Sequence, residues 1–272
     1  MHTSTPSARS DNRTFDQLRP LKATYGVYSY AAGSVLFEMG NTKILCSVTI
    51  QNGVPHFLRG KKTGWLTAEY SLLPGATPVR TVREITANKR SGRVIEISRL
   101  IGRALRSVTD LSVLGEQTIF VDCDVLQADG GTRTASITGA YLALRAAQAK
   151  WKTQGMLAAP LLTDELAAVS VGLSTHGVLL DMDFAEDSSI AADYSFVLTR
   201  SNRLIEIQGC AERAPIKWDD YENMRLLAIQ GAQELFFFYD TGAMVPEHKN
   251  ENKQSGYIYP SFTSHIMFDD RV

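Results

Sequence analysis

The chain has 272 residues, 44% of them hydrophobic and 21% charged, with 28 Lys and Arg against 29 Asp and Glu for a net charge of −1. That composition suits a globular protein with a substantial core, and it excludes a low-complexity chain or one that is basic all over. Cys46, Cys123 and Cys210 are odd in number and far apart in sequence, with no CxxC and no Cys/His cluster at zinc spacing, so neither a disulfide framework nor a structural zinc is indicated.

The N-terminus, MHTSTPSARSDNRT, is polar and lacks the apolar stretch of a signal peptide. No run of about 18 apolar residues occurs anywhere. A soluble, untargeted protein of the reducing cytoplasm, without membrane contact, is the expectation. Residues 26–50 are β-rich runs broken by Gly33 and by Gly40-Asn41, which predicts hairpin-linked antiparallel strands, and a second strand pair is expected around Trp65 to Leu73. Val94, Ile97, Ile101, Leu105 and Val108 fall at helical spacing with arginines on the opposite face. A strand is predicted at 117–126 and a helix at 135–150. Strands near 166–173, 177–184, 194–199 and 203–209 follow, then a helix from Asp219 to Phe238. The grammar is that of two similar α+β halves.

One segment is strongly basic. Between Arg80 and Arg106 stand Arg80, Arg83, Lys89, Arg90, Arg93, Arg99, Arg103 and Arg106 against only Glu84 and Glu96. A solvated helix face accounts for Arg99, Arg103 and Arg106. It accounts less well for Arg80, Arg83, Lys89 and Arg90, which lie in a segment that reads as a loop.

The most informative stretch is Asp122 to Ala140, DCDVLQADGGTRTASITGA. It places Asp129-Gly130-Gly131-Thr132-Arg133-Thr134 between a strand and a helix. Two glycines let backbone N–H groups approach a ligand, the helix start carries partial positive charge, and an arginine stands beside it. Those parts suit a phosphate. The alternative is an ordinary strand-to-helix turn with a hydroxyl N-cap at Thr132 or Thr134.

This segment resembles the phosphate-binding signature of the ribonuclease PH family, whose relatives include the core domains of polynucleotide phosphorylase and the ring subunits of the exosome. Further blocks in family order carry the resemblance: RSDNRTFDQLRP (Arg9 to Pro20), GSVLFEMGNTKILC (Gly33 to Cys46), GWLTAEYSLLP (Gly64 to Pro74), GRVIEISRLIGRALR (Gly92 to Arg106) and RLIEIQGCAE (Arg203 to Glu212). It runs from about Arg9 to about Tyr239, which sets a domain at 1–240 and a tail at 241–272. The resemblance implies a duplicated βαβ core with two mixed sheets, helices packed between and around them. It also implies a phosphorolytic 3′-to-5′ exoribonuclease that releases nucleoside diphosphates, with nucleotidyl transfer to RNA 3′ ends as its reverse.

Carried over by position, Arg93 and Arg133 are the phosphate-gripping arginines, Gly131 and Thr132 add contacts to inorganic phosphate, and Arg80 and Arg83 guide RNA. Within the acidic segment Asp181 to Ser195, Asp187 and Asp193 match the carboxylates assigned to catalysis and to Mg2+ or Mn2+. Read without the resemblance, that segment is a solvated acidic loop. Magnesium takes hard oxygen ligands, commonly one or two carboxylates with phosphate oxygens and water. Arg93 and Arg133 both fall at predicted helix N-termini, where an anion gains from the dipole and unpaired N–H groups.

The chain departs from the family pattern in four places. Gly75 stands where an arginine commonly follows Leu-Leu-Pro, with Arg59, Lys61 or Lys62 as possible substitutes, Ala191 replaces an acidic residue, and Tyr194-Ser195 replaces Met-Asn. These put RNA affinity, rate and metal preference in question. Implied partners are RNA, with tRNA precursors as substrate, and further copies of the chain in a hexameric ring built as a trimer of dimers. The competing readings are a catalytically silent ring subunit and an enzyme of this fold acting on a small molecule. No GxxxxGK[ST] occurs, which disfavours a nucleoside triphosphate as phosphate donor. Phe236-Phe237-Phe238-Tyr239 is too apolar for free solvent and packs either internally or between subunits. The tail after Thr241 is either disordered or packs on a neighbour.

Overall fold

The computed structural model describes residues 9, 11–83, 86 and 91–242. Its first half holds β1 (Leu21–Tyr25), β2 (Gly33–Met39), β3 (Thr42–Asn52), β4 (Trp65–Leu72), α1 (Gly92–Ser107), β5 (Gln117–Gln127) and α2 (Thr132–Thr153). The second half holds β6 (Leu166–Ser174), β7 (Gly177–Leu180), the one-turn helix α3 (Phe184–Asp187), β8 (Ala192–Thr199), β9 (Leu204–Ala211) and α4 (Trp218–Thr241). The strands form two sheets of order β1-β2-β3-β5-β4 and β7-β6-β8-β9.

The first sheet is mixed, because β4 lies parallel to β5 while its other pairings are antiparallel. A parallel neighbour requires a crossover, and the β4–β5 connection contains α1. The strand pair expected at Trp65 to Leu73 is therefore one strand whose partner lies some fifty residues on. The second sheet is antiparallel throughout instead of mixed. Alternation explains β5: Ile119, Val121, Cys123 and Val125 are buried on one face, while Phe120, Asp122 and Asp124 are half-buried on the other.

Helix α2 is the centre of the molecule. It packs on β2, β3 and β5 of the first sheet and on β6 of the second. Burial from both sides is why its sequence shows Ala and Leu all round instead of one stripe. Gly33 and Gly139 let it come close: a Cβ at Gly33 would lie 2.2 Å from the Ala143 carbonyl oxygen, and one at Gly139 would lie 2.9 Å from Cys46 Sγ. Gly33→Ala should therefore push β2 off α2 and cost about 1–3 kcal/mol, as overpacking does. Chemical denaturation checks this, and an unchanged midpoint would show that backbone contact to be slack.

Three boundaries differ from the sequence expectation for identifiable reasons. The first sheet starts at Leu21, earlier than residue 26, because β1 completes the edge beside β2. The strand expected at 177–184 stops at Leu180, since Asp181 takes a left-handed backbone (φ 51°) and Asp183 caps α3 through the Glu186 N–H. Helix α2 begins at Thr132, three residues early, which moves Thr132 and Arg133 into its first turn. Cys46 and Cys123, distant in sequence, face each other across β3 and β5 as free thiols with sulfurs 3.7 Å apart.

At the end of α4, Phe236 and Tyr239 are buried while Phe237 is 68% exposed, so the aromatic run packs mainly internally. Among the described residues, no helix is long and apolar enough to cross a membrane. Lys89, Arg90, Glu84 and the tail beyond residue 242 lie outside the described residues.

Candidate active site

Two loops meet at the start of α2. Gly130 (φ 74°) and Gly131 (φ 63°) both take the left-handed conformation that glycine adopts without cost. A Cβ at Gly130 would lie 2.5 Å from the Met182 carbonyl oxygen, so the glycine turn rests directly on the segment after β7. The turn is fixed from below by Thr42, whose hydroxyl donates to the Gly130 carbonyl (2.7 Å) and accepts from the Asp129 N–H (3.0 Å).

The arm before β1 ties the two loops together. Arg19, 4% exposed, grips the Asp181 carboxylate with Nε and Nη2 at 2.9 and 2.7 Å and also donates to the carbonyls of Asp129 and Gly130. Arg9 donates to the carbonyls of Leu180 (2.7 Å) and Asp181 (2.9 Å) and pairs with Glu186. Asp181 and Glu186 are consumed by these pairs, and Asp183 by its capping bond. In that segment Asp187 is left facing the cavity.

Helix α2 is capped by Gly131, with no side chain accepting a bond from its first N–H groups. The hydroxyl cap considered at Thr132 or Thr134 is not formed: the Thr134 hydroxyl donates to the Gly131 carbonyl (3.0 Å) and the Thr132 hydroxyl meets the buried Tyr70 hydroxyl (3.1 Å). The first-turn donors of α2 thus keep the partial charge of a helix N-terminus. Arg133 is the second residue of α2 and Arg93 the second residue of α1. Arg133 donates through Nη2 to Glu96 (2.9 Å), while Arg133 Nε and Glu96 Oε1 are buried without hydrogen-bond partners.

Both helix starts open into one cavity of about 1060 Å³. Its lining includes Arg93, Gly131, Thr132, Arg133, Asp187 and Asp193 together, so six of the eight residues singled out from the sequence converge. Arg80 and Arg83 do not line it. They are exposed in the loop whose Thr77, Pro78 and Val79 form part of the rim. Arg59, Lys61 and Lys62 are exposed and also outside the cavity.

The acids face opposing influences. Burial, then the charges of Asp193 and Glu212, push the Asp187 carboxyl above its ordinary value, while Arg93 and Arg133 pull it down. Burial and Glu212 likewise raise Asp193, against Arg133, a backbone hydrogen bond and Arg93. Two carboxylates on the cavity wall, Asp193 half-buried and Asp187 more exposed, whose charges oppose each other suit a hard divalent cation. Among the described residues no group of three or more His, Cys, Asp or Glu could hold a metal by itself. A cation here would take these two carboxylates and complete its shell with phosphate oxygens and water.

Sequence reasoning missed Glu96, Glu212 and Ser170, all of which line the cavity. Glu96 was readable, since it lies one turn after Arg93. Glu212 was not: it stands two residues beyond Cys210, and only the register of β8 against β9, which pairs Cys210 with Asp193, brings it near. Of the departures, Tyr194 faces away from the cavity and packs against Phe196 and Tyr221, whereas Ser195 lines it. The Ala191 carbonyl accepts the Glu212 N–H (3.0 Å).

Residues 17–150 match the profile described as 3′ exoribonuclease family, domain 1. The chain is 50% identical over 228 residues to ribonuclease PH of Bacillus subtilis (strain 168), covering 84% of this chain and 93% of that protein. It is 50% identical over 227 residues to ribonuclease PH of Tropheryma whipplei (strain Twist), covering 84% and 92%. Among solved structures, the Archaeoglobus fulgidus exosome with RNA bound to the active site aligns with a TM-score of 0.73 at 22% identity, covering 86% of this chain and 93% of that one. Rice (Oryza sativa) Rrp46 aligns at 0.70 and 20% identity, covering 87% and 100%. These structures share the fold.

Proposed function

The chain belongs to the ribonuclease PH family, and from that premise we infer a phosphate-dependent 3′-to-5′ exoribonuclease whose catalytic centre is the cavity between the two helix starts. Inorganic phosphate attacks the last 3′ phosphodiester of an RNA, a nucleoside diphosphate leaves, and the chain is one nucleotide shorter. The P–O3′ ester bond breaks, the P–O–P bond of the diphosphate forms, and the departing 3′ oxygen takes up a proton; each step reverses, so excess nucleoside diphosphate drives 3′ extension. The observation that carries this reading is the convergence of Arg93, Arg133 and the Gly131 turn with Asp187 and Asp193 on one cavity.

Phosphoryl transfer asks a protein for positioning and for neutralisation of charge on the phosphoryl oxygens. The first-turn amides of α2 and the Gly131–Thr132 backbone receive the attacking phosphate, and the Arg93 and Arg133 guanidiniums offer parallel N–H donors that a lysine lacks. Tyr70 holds the Thr132 hydroxyl in place. Asp187 and Asp193 are the residues that would hold Mg2+ or Mn2+, which when bound would supply positive charge to offset that of the reacting phosphates. Asp193 also assists proton transfer.

RNA enters as a single strand past the loop carrying Arg80 and Arg83. Replacing both with alanine should weaken RNA binding and flatten its salt dependence by up to roughly two units of log–log slope, about one per lost phosphate contact. Titrations at several salt concentrations measure this, and an unchanged slope would remove both residues from the RNA path. Precursors of tRNA are the substrate we propose, acted on by a homohexameric ring.

The runner-up, a silent ring subunit, has no chemical need for both arginines and both aspartates in one cavity. Incubating the protein with a 3′-tailed RNA and magnesium, with and without inorganic phosphate, separates the readings. Nucleoside diphosphates released only with phosphate support the enzyme; monophosphates mean hydrolysis, and no release means the silent subunit.

A further inference from the structure

The cavity has a polar wall that the residues assigned so far do not use. On β6, Ser170 is 8% exposed, lines the cavity, and holds a buried hydroxyl with no hydrogen-bond partner. Buried hydroxyls in native proteins are nearly always bonded, and one left without a partner calls for a reason. The other hydroxyls in that condition among the described residues, Tyr25 and Ser136, do not line the cavity.

Register places Ser170 under the first turn of α2. The Thr138 hydroxyl on α2 accepts from the Ala168 N–H at 3.2 Å and donates to the Ala168 carbonyl at 3.5 Å. Two residues along β6 from Ala168 is Ser170, on the same face of the strand. One turn back along α2 from Thr138 is Thr134, also in the cavity lining. The direction is fixed by the Asp181 N–H, which donates to the Ser170 carbonyl (2.8 Å), and by the Asp181 carboxylate, 3.7 Å from where a Gly131 Cβ would stand. The glycine turn, Thr134 and Ser170 therefore surround the same end of the cavity.

We propose that the Ser170 hydroxyl is a further contact to inorganic phosphate, donating to one of its oxygens from the second sheet, opposite the amides and arginines of the first half. The contact rests on the phosphorolytic reading and deepens it. Four sides of the anion are then met by donors from α1, α2, the glycine turn and β6. A phosphate oxygen is a stronger acceptor than water, so the hydroxyl is satisfied when the co-substrate is bound.

Ser170→Ala tests the contact. Losing one hydrogen bond to a charged group should raise KM for phosphate by about tenfold while leaving KM for RNA within twofold. Because the hydroxyl has no internal partner, the variant should fold with unchanged or higher stability, whereas a Ser170 bonded within the protein would lose stability. Ser170→Cys, of similar volume but a weak donor, should behave like the alanine variant, and Ser136→Ala should leave KM for phosphate unchanged. A second readout is the thermal shift induced by inorganic phosphate alone, which Ser170→Ala should diminish. Unchanged KM for phosphate in an active Ser170→Ala enzyme would overturn the contact and leave phosphorolysis standing. A weakened thermal shift in a protein that releases no diphosphate would support the contact and remove the activity.

Discussion

Replacing Asp193 with asparagine is expected to lower phosphate-dependent turnover by roughly a thousandfold, the scale of several kcal/mol of charge stabilisation supplied through a bound cation. The variant should nevertheless fold at least as stably as the parent when measured in the presence of a chelator. Asp193 lines the cavity with Asp187 and Glu212, whose charges act against one another. Asparagine keeps the shape and removes one repelling charge from the cluster. Loss of activity with retained or improved stability is the mark of a functional site maintained at a cost to the fold. Turnover within tenfold of the parent would take Asp193 out of the chemistry.

Arg133→Ala should lower phosphate-dependent turnover by on the order of a hundredfold or more, with RNA affinity nearly unchanged. The geometry sharpens this expectation. Arg133 is held by Glu96 through Nη2, while its Nε is buried and unpaired and its neighbour Arg93 is exposed at the start of α1. Glu96 thus anchors the guanidinium through Nη2, and the Nε–H on that same edge is left without an acceptor. Arg133→Lys should recover little, because an ammonium cannot both reach Glu96 and present parallel donors to phosphate. Equal losses in turnover and in RNA binding would show instead that Arg133 supports RNA.

The path from sequence to site was uneven, for physical reasons. The glycine turn was legible because Gly130 and Gly131 are needed by backbone conformation and close approach, both of which leave a residue-type signature. The α1 stripe was legible because one face is buried. The start of helix α2 lies three residues before its apolar spacing begins, since Thr132 and Arg133 lack that spacing and sit in the helix by virtue of the turn. The acidic segment could not be sorted from sequence: Asp181, Asp183, Glu186 and Asp187 differ only in which arginine or amide lies beside them. The arginines that decide it, Arg9 and Arg19, come from more than 150 residues away. Glu212 and Ser170 depend on strand register, which periodicity alone does not set.

The orientation of the N-terminal arm follows from the same facts. Arg9, Arg13 and Arg19 are each less than 10% exposed and reach the loop that carries Asp187. Through Arg19 that loop and the glycine turn share one buried anchor.

The most direct measurement is a crystal structure of the protein with inorganic phosphate and Mn2+, the cation located by its anomalous scattering. Phosphate should lie against the Gly131–Arg133 amides between the guanidiniums of Arg93 and Arg133, with manganese between Asp187 and Asp193 in the same cavity. Phosphate bound elsewhere, or the two arginines turned into separate regions with manganese away from both aspartates, would contradict the account.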